Sequence, residues 1–287
     1  MNSAPPAAVV VISSLVARGG IGLRAAGFAL ERLGHPVWSV PTVFLPWHPG
    51  HGPSTRIVPP LAGFEAALSE LAETAWLDEV GAVISGYLGS AEQAAAVARF
   101  VARVKDRKPG IRYLCDPVSA DEGGLYVPDA TAEAIRATLL PMADIATPNR
   151  FELAWLTGRT IDTINDTLDA ARVLGPERVL VTSAPALMRN SVATLYTTPR
   201  GAWVAEHPLV AHPPHGPGDL ASALLIDQVL AGHPGPAALE RTAAGAYEIV
   251  ARSASAGSDE LMVVAEQARL PRPMAMVQMR KLAEPKP

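Results

Sequence analysis

Two glycines lead into an aspartate at Gly216-Pro217-Gly218-Asp219, directly ahead of the apolar run LASALLIDQVL. This pattern predicts a helix that begins here. Glycines allow an anion to approach the backbone N–H groups of a helix N-terminus, where unpaired donors and the helix dipole favour negative charge, and a phosphoryl group fits that description. The Asp219 carboxylate could then accept the proton of an attacking hydroxyl. The alternative is an ordinary aspartate N-cap.

Two further carboxylates lie where they could bind a divalent cation. Asp116 follows the apolar run IRYLC, and Glu152 lies in the strand-to-helix segment TPNRFE. No lysine occurs between Lys108 and Lys281, so metal ions and helix termini would have to stabilise phosphoryl charge. Because Mg²⁺ takes one or two carboxylates together with phosphates and waters, these two suffice. The alternatives are a turn carboxylate for Asp116 and a first-turn helix charge for Glu152.

Other catalytic motifs are missing from the sequence. His48 and His51 in WHPGHG have no third ligand at suitable spacing, so a zinc site is not expected, and substrate contact or a polar loop explains them better. No Gly-x-Ser-x-Gly occurs, which argues against a serine hydrolase. Neither the P-loop pattern nor a Gly-x-Gly-x-x-Gly opening the first helix is found.

The elements that must position these residues alternate between short strands and helices. Apolar, β-branched runs predict buried parallel strands at 7–13, 35–41, 81–86, 111–116, 143–147 and 178–183. Helical periodicity predicts helices at 21–34, 61–75, 90–107, 130–139, 149–157, 165–175, 218–231, 237–255 and 259–269. Residues 191–196 and 201–206 flank a turn and predict an antiparallel hairpin appended to the sheet. We expect one α/β domain over 1–287.

Ligands of open parallel sheets bind beyond the carboxyl ends of the strands. That rule selects the residues directly after each predicted strand: Ser13-Ser14, Gly86-Tyr87, Asp116-Pro117, Thr147-Pro148-Asn149 and Thr182-Ser183. The proline-rich segment 46–60 is a candidate substrate loop.

Composition excludes several classes of protein. Apolar residues make up 49% and charged residues 18% of the chain, as in folded globular domains. A net charge of −4 without a basic block gives no footprint for nucleic acid, and no apolar run reaches the about 18 residues that a membrane span needs. The lone Cys115 and the absence of a signal-peptide pattern indicate a protein of the cytoplasm.

Together these segments resemble the pyridoxal kinases of the ribokinase-like superfamily, and the similarity runs along nearly the whole chain. The most specific matches are SGYLGSAEQ at 85–93, CDPV at 115–118, and DIATPN at 144–149 with Glu152. The Gly-x-Gly-Asp ending at Asp219 completes the set. The order and spacing of these motifs carry the resemblance.

The resemblance implies a three-layer α/β/α fold with a mostly parallel central sheet. It also implies ATP-dependent phosphorylation of the 5′-hydroxymethyl group of pyridoxal, and of related B6 vitamers, to give pyridoxal 5′-phosphate. Asp219 would be the catalytic base, ATP the co-substrate and Mg²⁺ the cofactor, with a monovalent cation such as K⁺ as a further candidate. The family is usually homodimeric.

Individual site residues follow from the same resemblance. Substrate-binding positions would be Ser14, His48, Pro49, Gly50, Tyr87 and Asp219. ATP-binding positions would be Asp116, Thr147, Glu152, Thr182, Gly216 and Gly218, with Asp116 and Glu152 also binding the metal. The chain departs from the common family pattern at Leu15, Arg18, Gly20, Leu23, Pro49, Thr182 and Ala221.

Two alternative functions remain open at this stage. One is a kinase for another hydroxymethyl heterocycle, such as hydroxymethylpyrimidine. The other is a divergent, non-catalytic protein that binds a B6 vitamer or a nucleotide, which the departures around Ser14 and Thr182 motivate. Retention of Asp219 and of both glycines before it argues for an enzyme.

Overall fold

A nine-stranded sheet forms the middle layer of the protein, in a computed structural model that describes residues 6–283. Its strands are β1 (Ala8–Val16), β2 (Val37–Leu45), β3 (Val80–Ser85), β4 (Arg112–Cys115), β7 (Ile145–Ala146), β8 (Arg178–Pro185), β9 (Ser191–Thr198), β10 (Gly201–Pro208) and β11 (Gln278–Ala283). Strands β5 (Ala120–Asp121) and β6 (Gly124–Leu125) form a separate two-stranded sheet. The ends of the predicted domain, 1–5 and 284–287, lie outside the described residues.

The strand order of the large sheet is β11-β10-β9-β8-β7-β4-β3-β1-β2. From β2 to β8 every neighbouring pair is parallel, whereas β8, β9, β10 and β11 pair antiparallel. All six predicted parallel strands and the predicted hairpin are therefore confirmed. The carboxyl ends of the parallel strands meet at one edge, which is where ligand sites of such sheets form.

Helices cover both faces of the sheet. They are α1 (Leu23–Arg32), α2 (Leu61–Glu73), α3 (Ala91–Arg107), α4 (Asp129–Ala134), α5 (Arg150–Thr157), α6 (Ile164–Val173), α7 (Pro217–Leu230) and α8 (Gly235–Ser255). Helices α1, α7 and α8 bury one face, while the other five pack on the opposite face. The result is the predicted three-layer α/β/α arrangement.

Strand β1 explains why both faces must be covered. Val9 and Val11 pack into the core under α1, α7 and α8, whereas Val10 and Ile12 pack into the core under α2 and α3. Because successive side chains of a strand point to opposite faces, a continuous apolar run demands a helical layer on each side. Cys115 at the end of β4 is likewise fully buried and free.

The predicted helix at 259–269 is wrong. Helix α8 ends at Ser255, and Gly257 then adopts a left-handed φ of 68° that turns the chain. Glu260 pairs with His215 in an isolated parallel bridge, so its backbone pairs with a segment that is distant in sequence. Within this stretch, one isolated turn, in which the Glu266 N–H donates to the Met262 carbonyl oxygen, is followed by a short 3₁₀ turn at Gln267–Arg269. Tertiary pairing overrode the local helical pattern.

Strand β11 is an element that the sequence pattern did not predict. Its sequence, QMRKLA, lacks the strict alternation of a half-buried strand. The strand is held at the edge of the sheet by pairing with β10 and by an ion pair of 2.5 Å between Arg280 and the buried Glu206. Within residues 6–283, no helix combines the length and hydropathy that crossing a membrane requires.

Candidate active site

Asp219 lies in the first turn of α7, at the carboxyl-end edge of the sheet. Its Oδ2 accepts a hydrogen bond of 2.9 Å from the Gly22 backbone N–H, whereas Oδ1 has no hydrogen-bond partner among residues 6–283. Burial raises the pKa of Asp219 to about 6, opposed by the Gly22 hydrogen bond. Asp219 is therefore mainly ionised at neutral pH, with one oxygen free to accept a proton.

Two glycines shape the backbone around this carboxylate. Gly216, with φ of 100°, precedes α7, and a Cβ there would lie 2.3 Å from the Gly20 carbonyl oxygen. Gly22 has φ of 54°, and a Cβ there would lie 2.2 Å from the Ser14 carbonyl oxygen. Both positions exclude any larger residue, and Ser14 is thereby packed beside the Gly22 N–H that binds Asp219. Sequence reasoning did not identify Gly22.

The start of α7 also presents free backbone donors. Pro217 has no N–H, and the N–H groups of Gly218 and Asp219 have no acceptor within the helix because they belong to its first turn. A Cβ at Gly218 would meet nothing within 4 Å, so the space in front of this turn is open. The predicted anion-binding geometry at Gly218 is thus available, while Gly216 serves the turn that precedes it.

Asp116 is buried, with 5% of its surface exposed, as are Thr147 and Glu152 with 3% each. Its Oδ2 accepts a hydrogen bond of 2.9 Å from Ser222 Oγ, which lies 2.8 Å from Thr147 Oγ1. Ser222 has only one hydroxyl proton, so Thr147 must donate to Ser222 when Asp116 is ionised. Burial and the charges of Glu152 and Asp219 raise the pKa of Asp116 well above its ordinary value.

Both carboxylate oxygens of Glu152 accept hydrogen bonds from backbone N–H groups. Its Oε2 accepts the Asn149 N–H at 2.8 Å in a capping box at the start of α5, and its Oε1 accepts the Ser119 N–H at 2.8 Å. Glu152 therefore also has the alternative role predicted from the sequence, that of a charge in the first turn of a helix. Burial raises the pKa of Glu152 to about 7, opposed by these backbone hydrogen bonds.

A cavity of about 290 Å³ opens beside the start of α7. Thr182 and Gly218, both predicted to bind ATP, line it together with Asn149 and Ser183. The His207 and Tyr247 rings, which also line it, stack with centroids 4.3 Å apart. The apolar part of the lining includes Val192, Leu209, Val210, Ala243, Ala246 and Val250. The cavity therefore combines polar groups and free helix donors with apolar surface.

The proline-rich segment 46–60 folds towards the same edge. Pro49–His51 form a short 3₁₀ turn that His48 caps through its Nδ1, which accepts the Gly50 N–H. The His48 ring lies on the His215 ring, with centroids 3.9 Å apart. Burial and His215 lower the pKa of His48 to about 4, so its ring is neutral at pH 7. The predicted loop thus contacts the residue directly before Gly216.

Glu260 connects this loop to the segment after β1. Its Oε1 lies 2.9 Å from His51 Nε2, and its Oε2 accepts the Gly20 N–H at 3.0 Å. Arg18 Nη2 pairs with the neighbouring Asp259 at 3.1 Å. Three segments that are distant in sequence are therefore joined at one carboxylate, which we term the Glu260 junction. No local motif around Glu260 signals this position.

Tyr87 lies between the loop and the sheet. Its carbonyl oxygen accepts a hydrogen bond of 2.7 Å from Thr42, and its hydroxyl lies 3.4 Å from Arg56 of the loop segment. Its ring packs with Val16 and Leu45.

Among the site residues that the sequence did not predict, Ser222 alone had a sequence signal. It lies three positions after Asp219 on a predicted helix and therefore shares the face of Asp219.

The fold and this edge are those of a small-molecule kinase, with a carboxylate beside a helix N-terminus and a cavity next to it. Residues 65–263 match the phosphomethylpyrimidine kinase family. The chain is 31% identical to pyridoxal kinase PdxY of Corynebacterium diphtheriae, covering 96% of this chain and 99% of that protein. It is 36% identical to pyridoxal kinase PdxY of Deinococcus radiodurans, covering 93% and 94%.

A solved structure agrees with these relatives. Pyridoxal kinase from Leishmania donovani, in complex with ADP and pyridoxine, superimposes with a TM-score of 0.88 at 26% identity, covering 96% of this chain and 98% of that one. The chain belongs to the pyridoxal kinase family.

Proposed function

We propose that this protein transfers the γ-phosphoryl group of ATP to the 5′-hydroxymethyl group of pyridoxal and related B6 vitamers, giving pyridoxal 5′-phosphate. The observation that carries the proposal is the Asp219 carboxylate, held on one oxygen by Gly22 and free on the other, beside the open donors of α7. A base with a pKa of about 6 is ionised at neutral pH and can accept a hydroxyl proton.

The proposed reaction forms one bond and breaks one. The vitamer's hydroxyl oxygen bonds to the γ-phosphorus while its proton passes to Asp219 Oδ1, and the bond from phosphorus to the bridging oxygen breaks to release ADP. The N–H groups of Gly218 and Asp219 stabilise the transferring group where its charge develops. Gly216 holds the turn that orients these donors.

Asp116 and Glu152 would bind the nucleotide through Mg²⁺. Their fit to a cation rests on their burial: burial raises the pKa of both carboxyls, the charge of Glu152 raises the pKa of Asp116 further, and a divalent cation would favour both ionised forms. No group of three or more His, Cys, Asp and Glu side chains in residues 6–283 is arranged to hold a metal. The remaining ligands would be phosphates and waters, as Mg²⁺ prefers. The bound ion would neutralise phosphoryl charge.

The other predicted residues divide between the two substrates. We assign Thr147 to the nucleotide side because it orders Ser222 and hence Asp116. Thr182 contributes to the nucleotide side through the cavity that it lines. We assign Ser14 and Tyr87 to the vitamer, together with loop residues His48, Pro49 and Gly50.

A substrate panel tests the proposal. Purified protein is supplied with ATP and Mg²⁺ and with pyridoxal, pyridoxine, pyridoxamine or hydroxymethylpyrimidine, and phosphorylated product is measured by mass spectrometry. We expect turnover of at least pyridoxal. Phosphorylation of hydroxymethylpyrimidine alone would instead support the alternative of a kinase for another hydroxymethyl heterocycle. Binding of a vitamer without turnover of any panel member would make the protein a binding module.

We further propose that the protein acts in the cytoplasm and that a monovalent cation such as K⁺ supports its activity. The free, buried Cys115 suits a reducing compartment. Repeating the panel in K⁺ and in Na⁺ tests the cation, and we expect the higher rate in K⁺. Equal rates would remove that part of the proposal.

We also propose a homodimer through the edge strand β2. Phe44 and Ile57 pair across an isolated bridge at this edge, and both side chains are exposed together with Trp47. Light scattering on the wild type should give twice the chain mass, and Ile57→Lys should weaken the dimer. Trp76→Lys is the control, because Trp76 is 68% exposed in a separate segment. A monomeric wild type would contradict the proposal.

A further inference from the structure

His207 and Tyr247 form a stacked pair on the wall of the cavity beside α7, and the proposed function gives this pair no role. Trp203 and Ala205 of β10 pack into the core that α8 covers, so the alternation of the strand directs His207 towards α8. Tyr247 lies on α8, and the two rings stack with centroids 4.3 Å apart at an interplanar angle of 25°. The plane of the His207 ring is therefore defined where the ring meets the cavity.

One hydrogen bond determines which ring nitrogen of His207 carries the proton. Nδ1 lies 3.0 Å from the Pro208 carbonyl oxygen, and a carbonyl oxygen can only accept, so Nδ1 is the donor. Burial lowers the pKa of His207, opposed by this contact, and the ring is neutral at pH 7. Its Nε2 consequently presents a lone pair and acts as an acceptor.

The Nε2 atom of His207 is open to a ligand. It has no hydrogen-bond partner in the described part of the chain, yet it is not one of the buried side-chain atoms without a partner there, so it is accessible. The cavity that the ring lines also includes Gly218, whose free N–H would hold a phosphate of ATP. The base of a nucleotide anchored there would lie in the remaining part of the cavity, whose wall includes His207.

We propose that His207 is a specificity-determining residue for the phosphoryl donor, whose Nε2 accepts a hydrogen bond from the 6-amino group of adenine. The inference rests on the proposed function, because it requires the phosphates of ATP at the start of α7. Adenine presents a donor at position 6, whereas guanine and hypoxanthine present an oxygen acceptor there. A 6-oxo base therefore brings two lone pairs together, and the protein selects ATP over GTP and ITP.

The apolar part of the cavity wall does not make this distinction. Val210, Ala246 and Val250 line the cavity with apolar surface, which covers the face of any purine equally well. A site with a polar group placed for one partner rejects an analogue that leaves that group unpaired, and such a contact discriminates more strongly than apolar area. Among these four wall residues, selectivity should therefore depend on His207.

Calorimetric binding of ADP and IDP tests this role. IDP differs from ADP only in the 6-oxygen and the N1 proton that accompanies it. We expect the wild type to bind ADP about 10- to 100-fold more tightly than IDP, and His207→Phe, which keeps a ring on Tyr247, to reduce the difference to about threefold or less. Tyr247→Phe is the matched control and should keep the wild-type ratio. Equal affinities in the wild type, an unchanged ratio in His207→Phe, or a wild type that binds neither nucleotide would overturn the proposal.

Turnover and a second variant provide independent readouts. In the kinase assay, the ratio of kcat/KM for ATP to that for ITP should fall by the same factor in His207→Phe, while KM for pyridoxal does not change. A change confined to KM for pyridoxal would overturn the proposal, because it would place the vitamer at this ring. If His207→Phe does not fold, His207→Leu also removes the acceptor and should show the same loss of selectivity. The comparison of ADP with IDP needs no vitamer, so selective nucleotide binding without turnover would contradict the proposed function and support this inference.

Discussion

The nucleotide side and the vitamer side that we propose around Asp219 are built differently. Asp116 and Glu152 are buried and bound to groups that the core holds in place, namely the Ser222 hydroxyl and the N–H groups of Ser119 and Asn149. The proposed vitamer side includes the buried Ser14 and a loop that Glu260 contacts through His51. The carboxylates of the proposed nucleotide side are thus held by the core, whereas the loop of the proposed vitamer side is held by contacts between segments that are distant in sequence.

Like charges are buried close together on the proposed nucleotide side only. Three carboxylates converge near the start of α7. Burial raises the pKa of each, and the charges of Glu152 and Asp219 raise the pKa of Asp116 further. The vitamer side instead pairs opposite charges, as in Arg18 with Asp259. Removing a carboxylate should therefore affect chemistry and metal binding on the first side, and loop position on the second.

The largest effect should follow Asp219→Asn. The amide cannot accept the hydroxyl proton, so we expect kcat to fall by about 1,000-fold. The melting temperature should not decrease, because the substitution removes a carboxylate whose pKa burial raises. Steady-state kinetics and thermal unfolding measure the two quantities. A kcat within tenfold of wild type would remove Asp219 as the base.

Asp116→Asn should change the Mg²⁺ requirement. The amide oxygen can still accept from Ser222, but the charge is lost, so the Mg²⁺ concentration for half-maximal rate should rise by about 10- to 100-fold. Glu152→Gln should act in the same direction. Asp78→Asn, in the surface turn Ala75–Glu79, is the matched control and should leave the magnesium titration unchanged. An unchanged titration in both site variants would place the metal elsewhere.

The pH dependence of kcat/KM for pyridoxal should have an acidic limb near pH 6. The pKa of Asp219 in the free protein is raised to about 6, so this base is increasingly protonated and inactive below that pH, and kcat/KM at pH 5 should be about tenfold below its plateau. The limb should be the same in Glu260→Gln, since that residue lies on the other side. A limb near pH 4 would show that burial does not raise the pKa of Asp219.

The smallest effect should come from the Glu260 junction. Glu260→Gln weakens the contacts with His51 and Arg18, and partly exposed pairs of this kind contribute little, so KM for pyridoxal should rise by about 2- to 5-fold. KM for ATP should not change. Asp259→Asn, at a 55% exposed side chain, is the control and should have a lesser effect. A change confined to KM for ATP would contradict the separation of the two sides.

Local sequence was sufficient to predict much of this architecture. The parallel strands were predictable because a β-branched apolar run buried on both faces is a local signal, and the hairpin because its turn is local. The predicted helix at 259–269 failed for the opposite reason, since Glu260 pairs with His215, 45 positions away along the chain. Strand β11 depends likewise on β10 and Glu206 rather than on its own pattern.

The sequence by itself determined that a glycine-rich turn delivers Asp219 to the start of a helix, and that Asp116 and Thr147 follow buried strands. Tertiary structure alone decided which of the Asp219 oxygens is free, that Ser222 connects Thr147 to Asp116, and that Glu260 holds the loop. The physical reason is the sequence separation of the interacting residues. Strand and helix signals arise from neighbouring residues, whereas a hydrogen bond such as that from Gly22 to Asp219 exists only once the sheet has brought distant segments together.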